Sequence, residues 1–145
     1  MGRRVNLLSI DPGEDHAACL WVDGKLEWAA FRALPAAITI DHLIIEDQEI
    51  SRRTRNPKSI LRLAQSAGRL AERVHATKET WVTAVRWMSG SPPHFVLEAR
   101  ILGCLSPEER RVLQRALSGV AIGKRHNVVD SAGIGLFALR RLPRR

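Results

Sequence analysis

The chain has 145 residues, 45% hydrophobic and 26% charged, with a formal charge of +8. That length supports one hydrophobic core, so residues 1–145 are expected to form a single domain. The composition is that of an ordinary globular chain, no apolar run approaches membrane-spanning length, and Cys19 and Cys104 stand far apart with no C-x-x-C spacing, which suggests neither a disulfide framework nor a thiolate zinc site.

In chain order, residues 5–11 read as a strand buried on both faces, and residues 16–22 as a second. Asp23-Gly24 is a type I′ turn pair, so residues 25–31 should return antiparallel. Residues 34–40, which include Pro35, read only as a connector. The run "HLIIE", residues 42–46, is a further short strand, followed by the polar stretch "DQEISRRTRNPKS". Pro57 and Ser59 then introduce a helix on which Ile60, Leu63, Ala64, Ala67, Leu70, Ala71 and Val74 recur at three- and four-residue steps.

Residues 81–87 alternate as a fifth strand would, and "SGSPP" breaks them. A short helix is expected over residues 94–103. Another is capped by Ser106, has Pro107 in its first turn, and runs to about Leu117. A last helix begins near Asn127 and is closed by Pro143 within a basic tail that starts at about residue 140. A hairpin meander joined to a parallel crossover implies an α/β fold, a mixed five-stranded sheet flanked by helices.

Two of the strands share one construction. "LLSID" and "LIIED" are apolar runs that end by displaying an acid, Asp11 and Glu46. If these strands are parallel neighbours, the two carboxylates sit about 5 Å apart at one end of the sheet. At that spacing they repel unless one is protonated or a cation lies between them, and hard divalent ions favour such oxygen ligands. Asp130, in "VVDSAGIGL", is the lone acid of the final helix. Spacing alone allows a plainer role for it, as a first-turn acid behind an N-cap at Asn127. Gly133 and Gly135 imply that this helix approaches the sheet closely.

Together "SIDPG", "IIED", the apolar helix over residues 60–74 and "VVDSAGIGL" resemble the RuvC family of Holliday-junction resolvases, in the ribonuclease H-like superfamily. The likeness is strongest to the compact RuvC-like nucleases of bacteriophages and prophages; "WMSGSPPH", "RILGCLSPEE" and "HNVVDSAGIGLFALRR" also resemble segments of those proteins. It spans residues 5 to about 141 and implies a ribonuclease H-like sheet with helices on both faces. By this resemblance Asp11, Glu46 and Asp130 are the catalytic metal ligands for Mg²⁺ or Mn²⁺, two ions per site. They would hydrolyse phosphodiesters in branched DNA, four-way junctions among them, to leave 5′-phosphates. A homodimer would place the paired nicks, and no organic cofactor or membrane is implied.

Family members usually carry an acid or His three residues before the last Asp. Here Asn127 stands there with His126 beside it, so the fourth ligand is open between the two. Asp47, Gln48, Glu49 and Ile50 replace the family's junction-opening aromatic, which favours broad cutting of branched DNA over strict junction resolution.

Arg carries most of the positive charge, and its fork matches phosphate oxygens, so nucleic acid is preferred as partner over a merely solubilising basic surface. Arg52, Arg53, Arg55 and Lys58 follow Glu46, and Lys124 and Arg125 precede Asp130; these are the candidate phosphate positioners. Among Trp21, Trp28, Trp81 and Trp87, packing is expected, with Trp87 the best candidate for stacking on a base. Two rival readings are a non-catalytic nucleic-acid-binding module of the same fold and a phosphate-loop relative of actin and sugar kinases, which needs about twice this length. The opening "MGRRVN" has neither a signal peptide's apolar stretch nor a myristoylation pattern, so a cytoplasmic protein is expected, in a bacterial or phage-infected cell.

Overall fold

The computed structural model describes residues 2–48 and 56–143. The chain runs β1 (Asn6–Asp11), β2 (Ala17–Val22), β3 (Lys25–Phe31), β4 (His42–Asp47), α1 (Pro57–Val74), β5 (Lys78–Thr83), α2 (Ala84–Met88), α3 (His94–Gly103), α4 (Pro107–Leu117) and α5 (Arg125–Ala138). The strands form one mixed sheet in the order β3-β2-β1-β4-β5. β1–β2 and β2–β3 pair antiparallel, whereas β1–β4 and β4–β5 pair parallel. Asp23 and Gly24 both have positive φ, as the I′ turn between β2 and β3 requires.

Alternation along the central strands divides the core in two. Leu8, Ile10, Leu43 and Ile45 face α1, which covers them with Ala67, Leu70 and Ala71. Leu7, Cys19, Trp21 and Ile44 face the other way, beneath α5, with Leu97 and Ile101 of α3 and Leu113 of α4 completing that layer. Helices therefore lie on both faces of the sheet. Asn56 caps α1, its Oδ1 accepting from the Ser59 amide at 3.3 Å. The expected Ser106 cap of α4 is a full capping box with Glu109.

Glu109 also fastens this layer to the hairpin and the C-terminal segment. Its carboxylate accepts from the Leu26 amide at 2.8 Å and is forked by Arg141 at 2.7 and 2.9 Å. Burial opposes its ionisation, but Arg141 and the backbone amides outweigh that and hold the carboxyl down at about 2.

Four expectations need correction. The fifth strand covers Lys78–Thr83, not residues 81–87; the chain turns helical at Ala84 and stops at Ser89, whose φ is +59°. A one-turn helix points Trp87 into the core while leaving Val85 63% exposed, a pattern that strand alternation imitates over so few residues. Trp87 is thus only 1% exposed and cannot stack on a base. The last helix starts at Arg125, after a 3₁₀ turn over Ile122–Lys124, so Asn127 lies inside it and is not its N-cap. Finally, Gly133 faces Trp87 and Ile101 rather than the sheet, and Gly135 alone makes the close approach, against Trp21. Both cysteines are unpaired thiols, Cys19 buried and Cys104 half-buried.

Candidate metal centre

The parallel register pairs Ile10 with Ile45, so the next residue of each strand, Asp11 or Glu46, emerges at the same end of the sheet. Side chains at equivalent positions share a face, here the α5 face opposite Ile10 and Ile45. Asp130 meets them because α5 lies across β1 and β2 through a buried polar network. Ser9 donates its hydroxyl to the Ser131 carbonyl at 2.7 Å, Trp21 Nε1 donates to Ser9 Oγ at 3.0 Å, and Ser131 Oγ donates to the Val128 carbonyl at 2.7 Å. Cys19 Sγ lies 3.1 Å from Ser131 Oγ, and burial pushes its thiol up to about 12, which makes it an inert packing group. The network fixes the rotation of α5 one residue from Asp130.

Asp11, Glu46 and Asp130 line one cavity of about 470 Å³ together with Lys124, His126 and Asn127. Asp11 is half-buried as a residue, yet loss of hydration is the main force raising its carboxyl well above the usual range, and Glu46 and Asp130 add to it. Burial likewise lifts Asp130 to about 7; His94 pulls it down, while Glu46 and Glu98 push it further up. Glu46 is held from both sides: Oε2 accepts from Trp87 Nε1 at 2.7 Å and Oε1 from Gln48 Nε2 at 3.1 Å. Asp130 Oδ1 is buried and has no hydrogen-bond partner. Among the described residues no three His, Cys, Asp or Glu side chains are already closed around an ion-sized space. The three acids converge on a shared cavity without forming a finished cage. An orphaned carboxylate oxygen, and two acids, Asp11 and Asp130, that burial makes hard to ionise, are nonetheless what a divalent cation relieves, so the donor set fits such an ion.

The cationic candidates fare unevenly. Lys124 lines the cavity, its Nζ 3.2 Å from Asp15, which Arg32 also binds. Arg125 is exposed and donates Nε to the Val120 carbonyl at 3.0 Å, while Lys58 is exposed at the start of α1. Arg52, Arg53 and Arg55 lie outside the described residues. Asn127 and His126 both reach the cavity wall.

Sequence reading missed three participants. Trp87 positions Glu46, Asp15 restrains Lys124, and His94 places Nε2 3.9 Å from Asp130 Oδ1. Their contacts cross 36 to 109 positions of sequence, and no local periodicity reports such a meeting. The Pro-Pro-His opening of α3 was the one available hint of a placed histidine. No helix among the described residues is long and apolar enough to cross a membrane. No protein-family model matches the chain, and no curated protein matches it.

Proposed function

We propose that this chain is a ribonuclease H-like, metal-dependent endonuclease that cuts branched DNA in the manner of a Holliday-junction resolvase. The observation that supports the reading is the convergence of Asp11, Glu46 and Asp130, from β1, β4 and α5, on one cavity. These three acids would hold Mg²⁺ or Mn²⁺, two per site, which when bound would supply a water of lowered pKa and a counter-charge for the departing 3′-oxygen.

The protein's own groups hold the stage. Trp87 and Gln48 fix both oxygens of Glu46, and the Ser9–Ser131 contact sets the depth of Asp130. Lys124 lies at the cavity wall where a phosphate would enter, restrained by Asp15 until an incoming anion competes for it. Arg125 and Lys58, and from the sequence alone the arginines at 52, 53 and 55, would act as further backbone positioners, so affinity falls steeply with salt. A two-fold junction needs two symmetric cuts and one chain holds one acid cluster, so the working unit is a homodimer in the cytoplasm of a bacterial or phage-infected cell.

The test is cleavage of labelled four-way, forked, flapped and linear DNA in Mg²⁺, Mn²⁺ or chelator. Cleavage should require the cation and favour branched substrates. Asp11→Asn should reduce it by about three orders of magnitude or more, as loss of an acting ligand does, while binding persists. Unchanged cleavage in that variant would remove Asp11 from the chemistry and overturn the acid-cluster reading, and no cleavage by the native chain despite tight binding would leave a non-catalytic binding module.

A further inference from the structure

We infer that His94 donates an imidazole nitrogen to the same cation that Asp130 holds, making a mixed nitrogen–oxygen centre that takes Mn²⁺ in preference to Mg²⁺. The inference rests on the nuclease reading above and assigns a ligand from α3, outside the three elements that carry the acids.

The separation carries the argument. His94 Nε2 and Asp130 Oδ1 are 3.9 Å apart, too far for a hydrogen bond. Two donors each about 2.1 Å from one ion stand about 3.0 Å apart when adjacent and about 4.2 Å when opposite. The observed gap falls inside that span. Asp130 Oδ1 is the oxygen with no hydrogen-bond partner, so the nitrogen faces the one acceptor among the described buried side chains that nothing satisfies.

His94 is also a placed residue. It is the first residue of α3, directly after Pro93, whose carbonyl accepts the Val96 and Leu97 amides at 3.0 and 3.1 Å. Leu97 and Ile101 are buried beneath α5, which fixes the start of α3 beside Asp130. The ring of His126, one turn before Asp130 on α5, meets the His94 ring edge-on with centroids 5.4 Å apart and limits its swing. His126 and Gly123 line both the acid cavity and the neighbouring one that contains His94, so the two cavities adjoin at the side of Asp130 that the half-exposed imidazole faces. Glu46 and Glu98 both act on Asp130, and their negative field favours a cation there. A nitrogen donor shifts an oxygen site away from Mg²⁺, which prefers carboxylate, carbonyl and water, towards first-row transition ions.

Electron spin-echo envelope modulation of Mn²⁺ bound to the full chain tests this. An imidazole ¹⁴N coupling is expected in the native protein, lost in His94→Ala and kept in His126→Ala. The Kd for Mn²⁺ should rise about tenfold or more in His94→Ala, in the range seen when metal-site partners are removed, while the Kd for Mg²⁺ moves less. Mn²⁺ that binds and supports cleavage without nitrogen modulation, or modulation that survives His94→Ala, overturns the role of His94 alone; a protonated His94 merely paired with Asp130 gives the first of these results. A chain whose Mn²⁺ binding is absent, or indifferent to Asp11→Asn, overturns the metal-nuclease reading and this assignment with it.

Discussion

Helices α1 and α5 cover opposite faces of one sheet and meet it by different means. α1 lays an apolar stripe of Ala67, Leu70 and Ala71 on the strands and leaves the rest of its circumference to solvent, including Leu61 at 52% exposure. α5 is buried without a break from Val128 to Leu136, Asp130 and Ser131 included. An amphipathic helix can shift slightly on its stripe at small cost, because the contact is non-directional. A helix enclosed on all sides has one position, set by Trp21 against Gly135, Trp87 and Ile101 against Gly133, and Ser9 against Ser131. Asp130 rides on the second kind. Burial is also what makes Asp130 hard to ionise unaided, so the element that gives precision imposes an electrostatic cost that a bound cation would offset.

The sharpest test of this contrast is Gly135→Ala. The added Cβ would overlap the Trp21 indole, with Cζ2 2.7 Å away, and Trp21 is fully buried and cannot withdraw. Urea denaturation should show a loss of about 3 kcal/mol, the upper range for overpacking; a near-neutral result would mean that α5 slides as freely as α1.

A smaller effect of opposite sign is expected for Asp130→Asn in metal-free protein. Burial raises the native carboxyl from the ordinary 3.8 to about 7, so the folded state binds its proton more tightly than the unfolded chain. That contribution is fully present below about pH 3.8 and is lost as pH rises through about 7. Asn does not ionise, so in chelator the variant should be the more stable protein above pH 7, by on the order of 2 kcal/mol. The two curves should converge near pH 4, and Mn²⁺ should narrow the difference at high pH by stabilising only the native chain. Thermal melts across this pH range measure it. The smallest effect is expected on α1: Leu61→Ala, on its solvent side, should change stability by no more than about 0.5 kcal/mol and leave cleavage intact.

The same contrast explains what could be read in advance. α1 announces itself through its stripe, and α4 through Ser106 and Glu109, because these signals sit within a few residues of each other. The hairpin follows from Asp23-Gly24. α5 has no apolar stripe, since every side is covered, and Asn127 imitates its start two residues late because Lys124, at the true N-cap, provides no side-chain cap. α2 reads as strand in the sequence because one turn offers too few positions to separate a period of 2 from one of 3.6.

The sequence by itself determined that two apolar strands end in acids, that a third acid lies on a glycine-bearing helix, and that positive charge flanks them. Those facts are local, written in neighbouring side chains. Tertiary structure alone decided that Asp11, Glu46 and Asp130 share a cavity, that Trp87 turns inward to hold Glu46, and that His94 comes within 3.9 Å of the unpartnered oxygen of Asp130. The physical reason is that these meetings depend on how whole elements pack, through buried contacts between residues that no short-range pattern connects.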